Sequence, residues 1–183
     1  MLIYDKVLML MKTNFISTLL ILFFLNGTVL SAQDETESVV KFIDASTYVT
    51  NYGRILNLEG ISTPDIDTSQ GETALSFVKN LFAEYQISRV EYDEKHQNRK
   101  SQDLVYLFLK AKELPKNETA DGMIIKKIDA NSYEIFLNAY LIKHGMAKTT
   151  VTPPNKKYME LFFDTEETAR MSEVGNFQSG IYW

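Results

Sequence analysis

Two short polar runs, Asp44-Ala45-Ser46-Thr47 and Ser62-Thr63-Pro64-Asp65, carry the side chains best able to do chemistry in this chain. Asp65 is a carboxylate that can activate water or hold a hard cation, and Asp44 can support either task. The hydroxyls of Ser46, Ser62 and Thr63 coordinate cations only weakly and otherwise exchange hydrogen bonds. Asn57 and Gln102 can donate to an anion but cannot neutralise it. Arg54, Arg99 and Lys100 can neutralise it, and a guanidinium grips phosphate through two parallel bonds. With no cysteine and two histidines, His96 and His144, the sequence offers too few ligands for a zinc centre. His144 stands just before Gly145, where a helix is expected to end. His96 lies in a polar loop and is expected to be solvated.

The elements that must position these groups are legible in part. From Val39 to about Ile61, β-branched and aromatic residues alternate, with turns at Asp44-Ala45-Ser46 and Asn51-Tyr52-Gly53, which predicts three short strands in a meander. Thr68 to Glu72 opens a helix whose apolar stripe is Ala74, Val78, Leu81, Phe82 and Tyr85. Strands are predicted over Ile87–Tyr92, Leu104–Leu109 and Met123–Ile128. A polar loop spans Asp93–Gln102 and a polar excursion spans Lys110–Gly122. Asn131-Ser132 is expected to cap a second helix with Phe136, Leu137, Tyr140 and Leu141 inward and Gly145 as its stop. Pro153-Pro154-Asn155 leads into a third, patterned by Tyr158, Leu161, Phe162, Thr165 and Ala169. Five strands with inserted and appended helices predict an α+β, mainly β, domain. Its expected architecture is a five-stranded Greek-key barrel of the OB type with three helices.

The 183 residues are 45% hydrophobic and 23% charged, enough for one core over about 150 residues without disulfides. Lys12, the apolar run Phe15–Leu25 and the small residues ending at Ala32 read as a signal peptide over residues 1–32, with Met11 the better start. Asn26-Gly27 breaks that run short of the roughly 20 residues a membrane span needs, so no span is expected after processing. The expected location is secreted or periplasmic. Residues 33–38 form a polar lead-in and residues 39–183 the domain. The whole chain has 19 Lys and Arg against 24 Asp and Glu; without residues 1–32, which hold Lys6, Lys12 and Asp5, it has 17 against 23, a net charge of −6. Such a balance disfavours tight binding of a polyanion over the whole surface.

Three motifs stand in order: Gly60-Ile61-Ser62-Thr63-Pro64-Asp65, the run Leu137-Asn138-Ala139-Tyr140-Leu141-Ile142-Lys143-His144-Gly145-Met146-Ala147-Lys148, and the closing Gly180-Ile181-Tyr182-Trp183. In this order and spacing the chain resembles the staphylococcal-nuclease (thermonuclease) family from about Val39 to Trp183. The resemblance implies a calcium ion held by two aspartates and a backbone carbonyl, a glutamate base and two arginines on the phosphate. Carried over position by position, it sets Ser46 and Ser62 where the two metal aspartates would stand, with Asp44 as a supporting carboxylate. It sets Asp65 at the base position, and Asn57 and Gln102 at the two arginine positions. Thr63, Arg54, Arg99, Lys100 and Tyr106 would line the same cleft, and Tyr48 and Tyr52 lie nearby in sequence.

Replacing two carboxylates with hydroxyls strips two charges from the calcium shell. Each lost transition-state donor costs roughly 10²–10³ in rate. The expected function is therefore a non-hydrolytic binding module without a cofactor, for single-stranded nucleic acid or for a protein or cell-envelope partner. The alternative is a calcium-dependent nuclease or phosphodiesterase with altered ligands, in which Arg54, Arg99 and Lys100, near the two vacant arginine positions, supply the positive charge.

Overall fold

The computed structural model describes residues 36–179. The expected signal peptide, the start of the lead-in and the Gly180–Trp183 motif lie outside the described residues. The described chain is α+β: a mixed sheet of seven strands, a two-stranded ribbon and three α-helices. None of these helices is long and apolar enough to cross a membrane.

Strands β1 (Val39–Phe42), β2 (Thr47–Thr50) and β3 (Ile55–Leu58) form the predicted antiparallel meander. Its first turn is fastened from beneath, where the fully buried Tyr48 donates its hydroxyl to the Ala45 carbonyl at 2.6 Å. Burial, and then the charge of Asp44, push that phenol well above its usual range. β4 (Ile61–Ser62) leaves the sheet to pair with β9 (Lys148–Thr149). Gly60, between β3 and β4, has φ +78°, and a Cβ there would come within 2.5 Å of the Phe162 ring, so this turn needs glycine twice over.

Helix α1 (Ser69–Glu84) starts where its sequence says it should. Thr68 accepts the Gly71 amide at 3.1 Å and donates its own hydroxyl to the Asp65 carbonyl at 2.6 Å. Gly71 lets the two segments touch, since a Cβ would sit 1.9 Å from the Asp65 carbonyl oxygen. β5 (Gln86–Glu91) follows, then β6 (Asp103–Ala111), the hub of the sheet. β6 pairs in parallel with β3 through Asp103–Val105, and antiparallel with β5 and with β8 (Ser132–Phe136). Paired on both edges and packed into the core on both faces, β6 has an unbroken buried run Val105–Leu109. β7 (Ile125–Asp129) closes the order β1-β2-β3-β6-β8-β7, with β5 branching from β6. This path is open: no pairing joins β1 to β5 among the described residues, so the hydrogen-bond ladder does not close into a barrel.

One predicted helix is corrected. Residues Ser132–Phe136 are a strand, and helix α2 starts only at Leu137 and ends at Lys143. The Asp129 carboxylate accepts the Asn131 amide at 2.8 Å and the Ser132 hydroxyl at 2.6 Å. The Asn-Ser pair thus serves a hairpin turn rather than a helix cap. Tyr133, Ile135 and Phe136 suit a strand better than a helix, and the edge of β6 offers them a partner. Helix α3 (Met159–Met171) buries Phe162, Thr165 and Ala169 as patterned. A short 3₁₀ turn spans Gly175–Ser179.

Candidate binding cleft

The turn between β1 and β2 sets Ser46 beside the end of β3, where the Leu58 amide donates to the Ser46 carbonyl at 2.9 Å. The Ser46 hydroxyl and amide both donate to Asp44 Oδ1, at 2.9 and 2.7 Å. From the second polar run, the Thr63 hydroxyl reaches Ser46 Oγ at 3.4 Å. Asn57, opposite Thr47 across β2 and β3, donates to the buried Thr47 hydroxyl at 2.9 Å. Asp44, Ser46 and Thr63 therefore meet, with the Asn57–Thr47 pair on the adjoining strands. Their polar atoms are largely spent on one another.

The other expected residues do not join them. Ser62 sits in β4 opposite Lys148. Asp65 is exposed and turned to the start of α1, with Oδ1 accepting the Asp67 amide at 3.2 Å and its carbonyl receiving Thr68. Gln102 accepts from Asn98 Nδ2 at 2.7 Å and closes a hairpin instead of facing a ligand. Arg54 is a clasp. Its guanidinium holds Glu37 ahead of β1 at 2.9 Å, Asp103 at the start of β6 at 3.0 Å and the Tyr92 hydroxyl just past β5. It thus spans the side of the sheet that the backbone ladder leaves open. Burial works against its charge, but the bond to Asp103 and the charge of Glu37 outweigh it and hold the guanidinium above its ordinary pKa. Tyr106 does not line a cleft: it is 1% exposed, its ring packs against Phe136 and Tyr158, and its hydroxyl donates to Asp93 at 3.0 Å. Tyr48 is likewise core, while Tyr52 is exposed at its turn. Arg99 and Lys100 are exposed at the tip of the hairpin that Gln102 closes.

Calcium takes six to eight oxygen ligands and favours carboxylates. Here one carboxylate already accepts two hydrogen bonds, beside neutral hydroxyls, and Asp65 faces elsewhere. The donor set does not fit that ion. Among the described residues, no three carboxylates or imidazoles lie close enough together to hold a metal.

The densest polar constellation lies elsewhere and was not expected from the sequence. Asn138, wholly buried in α2, accepts the Leu107 amide at 3.0 Å and donates to the carbonyls of Glu59 at 2.8 Å and Val105 at 3.1 Å. Glu59, 6% exposed, accepts from Asn155 Nδ2 at 3.1 Å and from the Gly60 amide at 3.1 Å. Burial raises its pKa more than those two bonds lower it. Asn155 in turn bonds both backbone groups of Lys95. Asp93 takes the amides of Glu94, Lys156 and Lys157 as well as the Tyr106 hydroxyl. Burial opposes its charge, but these donors, Lys157 foremost, bring its pKa below the usual value. The available signal was an amide at Asn138 inside the apolar run Phe136–Ile142, since a polar side chain there must find partners. His144, expected only at a helix end, also pairs through Nε2 with Glu118 at 2.9 Å, which ties the 110–122 excursion to α2.

The chain matches no protein-family model, and no curated protein matches it either.

Proposed function

We propose that this is an exported, non-hydrolytic binding domain built on a staphylococcal-nuclease-like OB architecture. The meander β1-β2-β3, the parallel return of β6 onto β3, and β5 on the far edge of β6 support that finer reading of the fold. The observation that carries the function is the occupancy of the cleft. Its hydroxyls are bonded to Asp44 and to each other, and Arg54 is held by three other side chains. Phosphodiester hydrolysis needs a polarising cation, a poised base and fixed positive charge at one point. Those parts do not meet here. Net acidity favours a protein or envelope partner over a nucleic-acid strand as the ligand.

The test is turnover of denatured DNA in calcium chloride by the purified mature chain. The expected result is no cleavage above the buffer control and no thermal shift with calcium. Calcium-dependent cleavage that is lost in Asp65→Ala would establish the altered nuclease instead.

A further inference from the structure

The hairpin between β5 and β6 is held by more internal bonds than a passive connection requires. Asn98 accepts the amides of Lys100 and Gln102 at 2.9 and 3.1 Å, and its own amide donates to the Gln102 carbonyl at 3.0 Å. Gln97 donates to Asp103 at 2.9 Å, and the Leu104 amide donates to the His96 carbonyl at 2.8 Å. At its base, Asn155 brackets Lys95, and Asp93 gathers the amides of Lys156 and Lys157. The segment leading into α3 is thereby fixed against the hairpin.

This frame carries Lys95, Arg99, Lys100 and Lys156, all exposed, and none of the four makes an ion pair among the described residues. The guanidiniums of Arg54, Arg89 and Arg170, by contrast, are all matched to carboxylates. The carboxylates nearest the rim are mostly turned inward. Asp93 and Asp103 are spent on the bonds that hold the hairpin, and Glu91 takes Lys157. Glu94 is the one exposed carboxylate between Asp93 and Asp103. On a chain of net charge −5, this rim is a local cationic surface.

We propose that the rim of Lys95, Arg99, Lys100 and Lys156 docks an acidic segment of a protein partner; this deepens the reading as a binding domain and rests on it. Charge complementarity selects carboxylates or phosphates. The rest of the surface selects between their carriers. Single-stranded nucleic acid is held by a cationic track together with aromatic rings on which bases stack. The rim's one exposed ring, His96, leans on Tyr92 with centroids 5.0 Å apart, while the exposed Tyr52 and Phe163 belong to other elements. A long polyanion would also meet the acidic remainder of the surface. A short run of carboxylates needs only these four cations.

The probes are a fluorescein-labelled octaglutamate peptide and a labelled oligothymidylate of equal length, read by anisotropy against the full mature chain at low and physiological salt. The peptide should bind more tightly than the oligothymidylate. The triple variant Lys95→Glu/Arg99→Glu/Lys100→Glu should weaken peptide binding about tenfold or more. The control Lys126→Glu/Lys127→Glu, two exposed residues of the edge strand β7, should change it by less than about twofold. Far-ultraviolet circular dichroism checks that both variants are folded. Tighter binding of the oligothymidylate, no peptide binding, or equal losses in both variants would each overturn the assignment. The calcium cleavage assay on the same preparations separates the two readings. Cleavage overturns the non-hydrolytic function and leaves the rim, while a rim without effect leaves the non-hydrolytic function standing.

Discussion

The cleft around Ser46 and the junction around Asn138 are both polar, yet they answer to different demands. In the cleft, Asp44, Ser46, Asn57 and Thr63 lie partly exposed, where water can replace a bond that one of them loses. In the junction, the fully buried Asn138 bonds three backbone groups and so ties α2 to the end of β3 and the middle of β6. The two polar sequence motifs draw attention to the cleft. The physical cost of error is concentrated in the junction.

The largest expected effect sharpens that contrast. Asn138→Ala leaves the Leu107 amide and the Glu59 carbonyl without that partner in the core, while the Val105 carbonyl keeps the Glu59 amide; this should cost about 2–5 kcal/mol. Ser46→Ala in the cleft should cost less than about 1 kcal/mol, with both read from urea unfolding. Similar losses at the two sites would erase the distinction.

Arg54 comes next. Its removal in Arg54→Ala should cost about 1–2 kcal/mol, because the guanidinium is partly exposed and its ion pairs are screened. The loss should shrink in molar salt. A change in nuclease activity without a change in stability would instead return Arg54 to the role of a relocated phosphate grip.

Rebuilding the cleft should convert it. Ser46→Asp/Thr63→Asp would set two carboxylates beside Asp44, since the Thr63 and Ser46 hydroxyls lie 3.4 Å apart, and a site of millimolar affinity would add about 1.4 kcal/mol at tenfold excess calcium, a few degrees in Tm. The unmodified chain should shift by less than about 1 °C. A shift in the unmodified chain, absent from Asp44→Asn, would show that the existing ligands suffice.

The smallest effect is a slope. The Glu59 carboxyl has its pKa raised in the fold, so the folded state holds that proton more tightly than the unfolded one. Its contribution is complete below the unfolded carboxylate pKa and is lost as pH rises through the folded value. Thermal melts of Glu59→Gln should therefore show a flatter decline across the mildly acidic range than those of the unmodified chain. Parallel curves would place the proton elsewhere.

Parts of this molecule were legible residue by residue. Thr68 as a helix cap, the stripe from Ala74 to Leu81 and the apolar run of β6 each follow from groups a few positions apart. Ser132–Phe136 did not follow, because Asn131-Ser132 followed by an aromatic-rich run suits a cap and a hairpin equally well. The edge of β6 decided between them. In the candidate site, the sequence brought Asp44, Ser46 and Thr63 to attention, but it did not show that Tyr106 turns into the core or that Gln102 closes a hairpin.

By itself the sequence determined the class of the domain, most of its elements, and the absence of paired aspartates from the two motifs. These are properties of neighbouring residues and of their types. The tertiary structure alone decided that Arg54 is a clasp, since its three partners stand 17, 38 and 49 residues away. It also decided that Asn138 and Asp93 carry the polar framework. Side-chain hydrogen bonds act over about 3 Å, and only the folded chain brings residues so distant in sequence within that reach.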